Sequence, residues 1–290
     1  MRSTFLAALL LAALTAVSGS RAAERTAFKV CADPYNLPMS NKKEEGYENK
    51  IARLFADDLG LPIEYTWFPQ RIGFIRKTLR NNLDTPDGSY ACDVVMGVVT
   101  GFELADTTKP YYRSTWAFAY VKGRGLDDIR SQEDLAHIDE ERLQKIKVGV
   151  FDKSPTARWV IEHGLMEHMV PYQAQTGAFE AYVGEMVEKD LPAGKIDIAF
   201  IWGPIAGYFA KKVKEETGTE IVVVPMHSES HMQFEYPISM AVRFGEKEWK
   251  RQIEELIDRH QEEINAILRD YGVPLLPIEN IDLFLKEDDD

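Results

Sequence analysis

Short strand-like runs and amphipathic helical runs alternate along this chain in an order that occurs twice, and extended runs join the repeats. In the first set Phe28–Ala32 reads as a strand. Tyr47–Leu59 follows as a helix, with Tyr47, Ile51, Leu54, Phe55 and Leu59 at helical spacing and Gly60 as its stop. Ile63–Phe68 is a strand, Gly73–Arg80 a helix, and Asn81–Tyr90 an exposed polar turn into a strand that carries Cys92. The second set begins with a strand at Lys147–Val150, then a helix at Thr156–His163, a strand at Met169–Tyr172 and a helix at Phe179–Lys189. A buried strand at Lys195–Trp202, a helix at Pro204–Glu216 and a strand at Ile221–Val224 complete it. Each set predicts an α/β lobe, a mostly parallel sheet flanked by helices, because this alternation is that of βαβ units.

The joints set the domain plan. Trp116–Val121 links the first set to the second as one extended run, and Tyr236–Val242 is another after the second set ends. The chain is therefore expected to cross between lobes twice, with residues 24–118 plus 238–290 forming lobe 1 and residues 119–237 forming lobe 2. Glu246–Asp270 reads as one long amphipathic helix returning to lobe 1, with Trp249, Ile253, Leu256, Ile257, Ile264 and Leu268 on one face.

Residues 1–23 stand outside this plan. Met1-Arg2 precedes an apolar run from Phe5 to Val17, and Ser20-Arg21-Ala22 offers a small-x-small cleavage site, the pattern of a secretory signal peptide. The run is too short to span a membrane, and no later segment approaches about 20 unbroken apolar residues. The net charge is −13, and removal of Arg2 and Arg21 with the leader takes it to −15. Such a balance disfavours nucleic acid; it favours a cationic partner electrostatically, the alternative being that the excess serves solubility alone.

Export changes how the two cysteines read. Cys31 and Cys92 both sit in strand-like runs, and an oxidising compartment permits a bridge between neighbouring strands, worth roughly 4 kcal/mol in the chain-entropy model. The alternative is two buried free thiols. His227 and His231 lie in a turn-rich stretch whose spacing does not give them a common face, so no metal site is expected. Glycine-rich phosphate loops, a G-x-S-x-G elbow and HExxH are absent, and no catalytic residue or cofactor is expected.

Two lobes with a double crossover in an exported protein resemble the type II periplasmic solute-binding fold. Gly97–Thr100 with Lys109–Tyr112, and Asp197–Pro204, are similar to the segments leading out of each lobe in the amino-acid-binding branch. That branch clamps the ligand's α-carboxylate with an arginine and its ammonium with an aspartate. The corresponding positions here are Leu104 and Trp202, which implies that the ligand is not an α-amino acid.

A closer resemblance covers nearly the whole mature chain. Cys31–Asn41, Gly46–Ala52, Thr66–Arg71, Cys92–Gly97, Thr107–Thr115 and Trp202–Phe209 resemble successive signatures of the periplasmic-binding-protein-like accessory proteins encoded beside quinoprotein (PQQ) methanol dehydrogenases, the MxaJ/XoxJ type. Met39 and Phe68 depart from it, standing where Phe and Trp are expected. The resemblance implies a periplasmic, non-catalytic protein that assists assembly or activation of a PQQ-dependent methanol dehydrogenase by direct contact. The alternative is a receptor, of the ABC-transporter type, for a small ligand that is not an amino acid. Interlobe cleft residues are expected among Asp33, Tyr35, Asn36, Trp67, Gln70, Arg71, Leu104, Tyr111, Arg113 and Trp202, since ligands of parallel sheets lie at the carboxyl ends of strands.

Overall fold

The computed structural model describes residues 25–83, 85, 88–173 and 182–278. The segment expected to be a signal peptide, part of the turn before Cys92, the start of the helix expected at Phe179 and the acidic end of the chain lie outside the described residues.

The chain runs β1 (Phe28–Ala32), the two-residue β2 (Tyr35–Asn36) and β3 (Ser40–Asn41), α1 (Tyr47–Leu59), β4 (Ile63–Trp67), α2 (Phe74–Lys77), β5 (Val94–Val99) and β6 (Asp106–Val121). It continues with α3 (Gln132–Ala136), α4 (Glu140–Leu143), β7 (Val148–Phe151), α5 (Pro155–Glu162), β8 (Met169–Tyr172), β9 (Ile198–Trp202) and α6 (Gly203–Thr217). Strands β10 (Ile221–Pro225) and β11 (Glu235–Val242) and helices α7 (Lys247–Arg259) and α8 (Gln261–Asp270) follow.

One sheet runs β4-β1-β5-β11-β6-β9-β7-β8, with β10 also on β6. Strands β4, β1 and β5 are parallel at one end, and β9, β7 and β8 are parallel at the other. The antiparallel β6 and β11 join them. The 16-residue β6 serves both halves: Asp106–Thr115 pairs with β11, and Trp116–Val121 pairs with β9 and β10. Alternation along β6 sends Phe118 and Tyr120 into one core and Ala117, Ala119 and Val121 into the core on the opposite face. In the first half α1, α7 and α8 cover one face, and α2 with the cysteine pair covers the other.

Local chemistry explains α1. Asn49 Oδ1 accepts from the backbone N–H groups of Gly46 and Asn41, at 3.1 Å each, and so closes the helix start. Gly46 is obligatory there, because a Cβ would lie 2.0 Å from the Met39 carbonyl oxygen. Gly60, at φ 64°, ends the helix in the left-handed region.

Cys31 and Cys92 form a disulfide, with Cα atoms 5.4 Å apart and 61 residues of separation. Two expectations need correction. The helix expected over Glu246–Asp270 is two, broken at His260 (φ −111°), because α8 must turn to pack on α1 while the His260 ring stays against Phe55, with centroids 6.1 Å apart. The described part of the helix expected at Phe179–Lys189 is instead a single π-helical turn at Met186–Asp190.

Candidate functional site

The loops after β1 and β4 are tied together at the carboxyl ends of their strands. Asp33 is buried; one of its carboxylate oxygens accepts from Tyr35 N–H (2.8 Å) and the other from Gln70 N–H (2.5 Å). Asn36 donates to the Gln70 side-chain carbonyl at 3.0 Å, which orients that amide. Beside this knot lies a cavity of about 350 Å³ between the two halves of the sheet. Gln70, Gly97, Val98 and Val99 line it from one half, Pro155 and Trp202 from the other, and Tyr112, Trp116, Tyr236 and Ile238 from the crossover strands. Met39, Tyr47 and Glu48 complete the wall.

The walls are aromatic. Trp202 meets Trp116 and Tyr236 edge to face, at interplanar angles of 70° and 63°, each with centroids 6.1 Å apart. Tyr47 and Tyr112 bond hydroxyl to hydroxyl at 3.0 Å. Lys, Arg and His are missing from the lining, and the sole ionisable carboxyl is that of Glu48. Among the described residues that carboxyl makes no hydrogen bond or ion pair. Burial, and then the nearby Asp33 carboxylate, push it up from its ordinary 4.5 to about 8. Gly97 makes room for it, since a Cβ there would lie 2.3 Å from Glu48 Oε1.

Of the expected cleft residues, Gln70 and Trp202 line this cavity, while Asp33 and Asn36 support Gln70 from behind. The others stand elsewhere. Tyr111 is fully buried and donates to the Met96 carbonyl at 2.8 Å, so it belongs to the core. Trp67 stacks on Tyr65 along the edge strand, at 4.6 Å. Tyr35 and Leu104 are exposed, and the Leu104 carbonyl accepts from Arg80. Arg71 is exposed, its guanidinium over the Phe68 ring. Arg113 pairs with Glu235 and also donates to the Pro277 carbonyl, so its charge is committed on the strand. His227 and His231 approach different carboxylates, those of Glu235 and Glu162.

Glu48 was missed. Its signal lay in helical phase, because Glu48, Ile51, Ala52 and Phe55 follow i, i+3, i+4, i+7 and put an acid on the buried stripe of α1.

The crystal structure of the periplasmic binding protein XoxJ from Methylobacterium extorquens AM1 is 33% identical, with a TM-score of 0.66 over 86% of this chain and 99% of that one. The chain belongs to the MxaJ/XoxJ family. MxaJ from Methlophaga aminisulfidivorans MPT is 27% identical, with a TM-score of 0.70 over 86% of this chain and all of its own. The protein MoxJ of Paracoccus denitrificans is 26% identical over 276 residues, 92% of this chain and 95% of MoxJ. No model of a protein family matches the sequence. The fold is that of type II periplasmic binding proteins, and the MxaJ/XoxJ members share it from end to end. Among the described residues no helix is long and apolar enough to cross a membrane.

Proposed function

We propose that this member of the MxaJ/XoxJ family is a non-catalytic periplasmic accessory protein of methanol oxidation, which assists assembly or activation of a PQQ-dependent methanol dehydrogenase by direct contact. The observation that carries the reading is the similarity to XoxJ along 99% of that protein's length. The cavity supports it, because it offers no guanidinium to clamp a carboxylate: Arg113 is ion-paired on β6 and Leu104 is exposed outside the site. In this reading residues 1–23 are removed on export, and residues 24–118 with 238–290 form one lobe and residues 119–237 the other. The mature charge of −15, once Arg2 and Arg21 are gone, favours a basic surface on the enzyme.

Purified mature protein titrated into the purified dehydrogenase at low ionic strength tests the contact, with binding expected to weaken as salt rises. A deletion strain should accumulate dehydrogenase of reduced activity. Absence of a complex at low salt, together with fully active enzyme in the deletion strain, refutes the reading.

The second reading, a receptor for a small solute, is favoured by the cavity itself, which is large enough for a compact organic ligand. A thermal-shift screen in which no solute stabilises the protein counts against it.

A further inference from the structure

We propose that the cavity between the two halves binds a small organic cation, an alkylammonium or methylated ammonium group held between the Glu48 carboxylate and the rings of Trp116, Trp202 and Tyr236 that line it. The site has what such a group requires. One carboxyl faces a cavity of about 350 Å³ and has no partner of its own among the described residues. Three electron-rich rings line the same space, joined edge to face into one cluster, and such a ring attracts a cation that comes within about 6 Å of its centroid.

Other ligand classes fit less well. An anion would meet Glu48 with no basic side chain in the lining to offset it. A sugar needs many polar partners, yet the Tyr47 and Tyr112 hydroxyls already share a hydrogen bond and Gln70 is the only amide in the lining. Among the described residues, no three His, Cys, Asp or Glu side chains gather to hold a metal ion.

The charge state of Glu48 gives the proposal a signature. Burial holds its proton up to about pH 8. The groups that face it are Asp33 from the turn after β1, Tyr47 on α1, Tyr65 on β4, and Tyr111 and Tyr112 on β6. Burial pushes all four phenols upward, and Asp33 is fixed by two backbone N–H groups. Burial thus brings the Glu48 carboxyl to about 8 while moving the four phenols away from neutrality. A bound cation favours the carboxylate, so the carboxyl proton leaves for solvent as the cation enters.

The test is calorimetric titration of the mature protein with n-propylammonium and tetramethylammonium chloride, with n-propanol and propionate as neutral and anionic matches. No dehydrogenase is present, so the outcome is independent of the accessory reading. One site is expected for at least one ammonium ion, preferring it about tenfold or more over both matches, with Kd falling about tenfold per pH unit between about 6 and 7 and levelling above about 8. Repeating the titration in two buffers of different ionisation enthalpy should report close to one proton released per cation at the lower pH. Glu48→Gln should weaken binding at least tenfold and abolish the pH dependence. If Nα-acetyl-lysine amide binds as tightly as n-propylammonium, the cation site accepts a partner's lysine side chain; if it is rejected, the site takes a free amine. Failure of both ammonium ions to saturate at pH 8, equal binding of propanol or propionate, or a wild-type affinity with no pH dependence overturns the proposal. The buffer comparison needs only the wild-type protein, so a misfolded Glu48→Gln does not decide the matter.

Discussion

Gly207 and Gly272 meet backbone to backbone: a methyl group on Gly207 would lie 1.9 Å from the Gly272 carbonyl oxygen. This contact joins α6, in the second half, to the turn that ends α8, in the first. Around it Tyr208 stacks on Tyr271 at 5.7 Å, Lys211 pairs with Asp270 at 3.0 Å, and the Ser114 hydroxyl donates to the Pro274 carbonyl at 2.7 Å. Gly207→Ala should gain slightly in helix propensity but force the two backbones apart, for a net loss of about 1–3 kcal/mol. Urea denaturation checks this, and unchanged or increased stability would show that the contact yields without cost.

Arg243 should be costly to remove. It is almost fully buried, donates to Asp93 at 2.5 Å and to the Leu79 carbonyl at 3.1 Å, and lies 4.0 Å over the Tyr90 ring. Arg243→Met leaves Asp93 with Arg25 as its remaining ion pair, at 2.7 Å. A loss of about 3 kcal/mol is expected, because buried Asp93 loses one of its two cationic partners and the Leu79 carbonyl loses its donor. The paired variant Arg243→Met with Asp93→Leu should recover part of that loss.

Replacing Cys31 and Cys92 by alanine frees a 61-residue separation in the unfolded chain, and about 4 kcal/mol should be lost. The bridge itself is checked by mass spectrometry before and after reduction.

Glu48 makes stability depend on pH. In the unfolded chain its carboxyl titrates near 4.5, and in the folded protein near 8. Between these values the folded state holds the proton that the unfolded state has lost, so this group lowers stability progressively as pH rises from about 4.5 towards 8. Glu48→Gln keeps the shape without the charge. Its melting temperature should exceed the wild-type value by more at pH 8 than at pH 5, and a constant difference would contradict the assignment.

Where side-chain periodicity alone decides an element, the sequence reading is close: Tyr47–Leu59 is α1 to the residue, because its apolar stripe and Gly60 agree. Where tertiary packing overrides periodicity it fails, as at His260, where an unbroken apolar face conceals the bend that brings α8 onto α1. The full reach of β6 is hidden for another reason, since Lys109-Pro110 interrupts the strand pattern although Pro110 sits at an irregularity in the β11 pairing. The cavity was half legible. Gln70 and Trp202 follow from their places at strand ends, but Tyr111 and Tyr112 are neighbours on one strand and only the fold tells which of them faces the cavity.

The route of the chain through the sheet has a consequence for synthesis. Strand β11 lies between β5 and β6, and α7 and α8 cover the first half, yet all three come from residues 235–270. The half that begins first is thus completed last. Until residues 235–242 are in place, β5 and β6 lack the strand that lies between them, so the first half cannot close on its own residues alone.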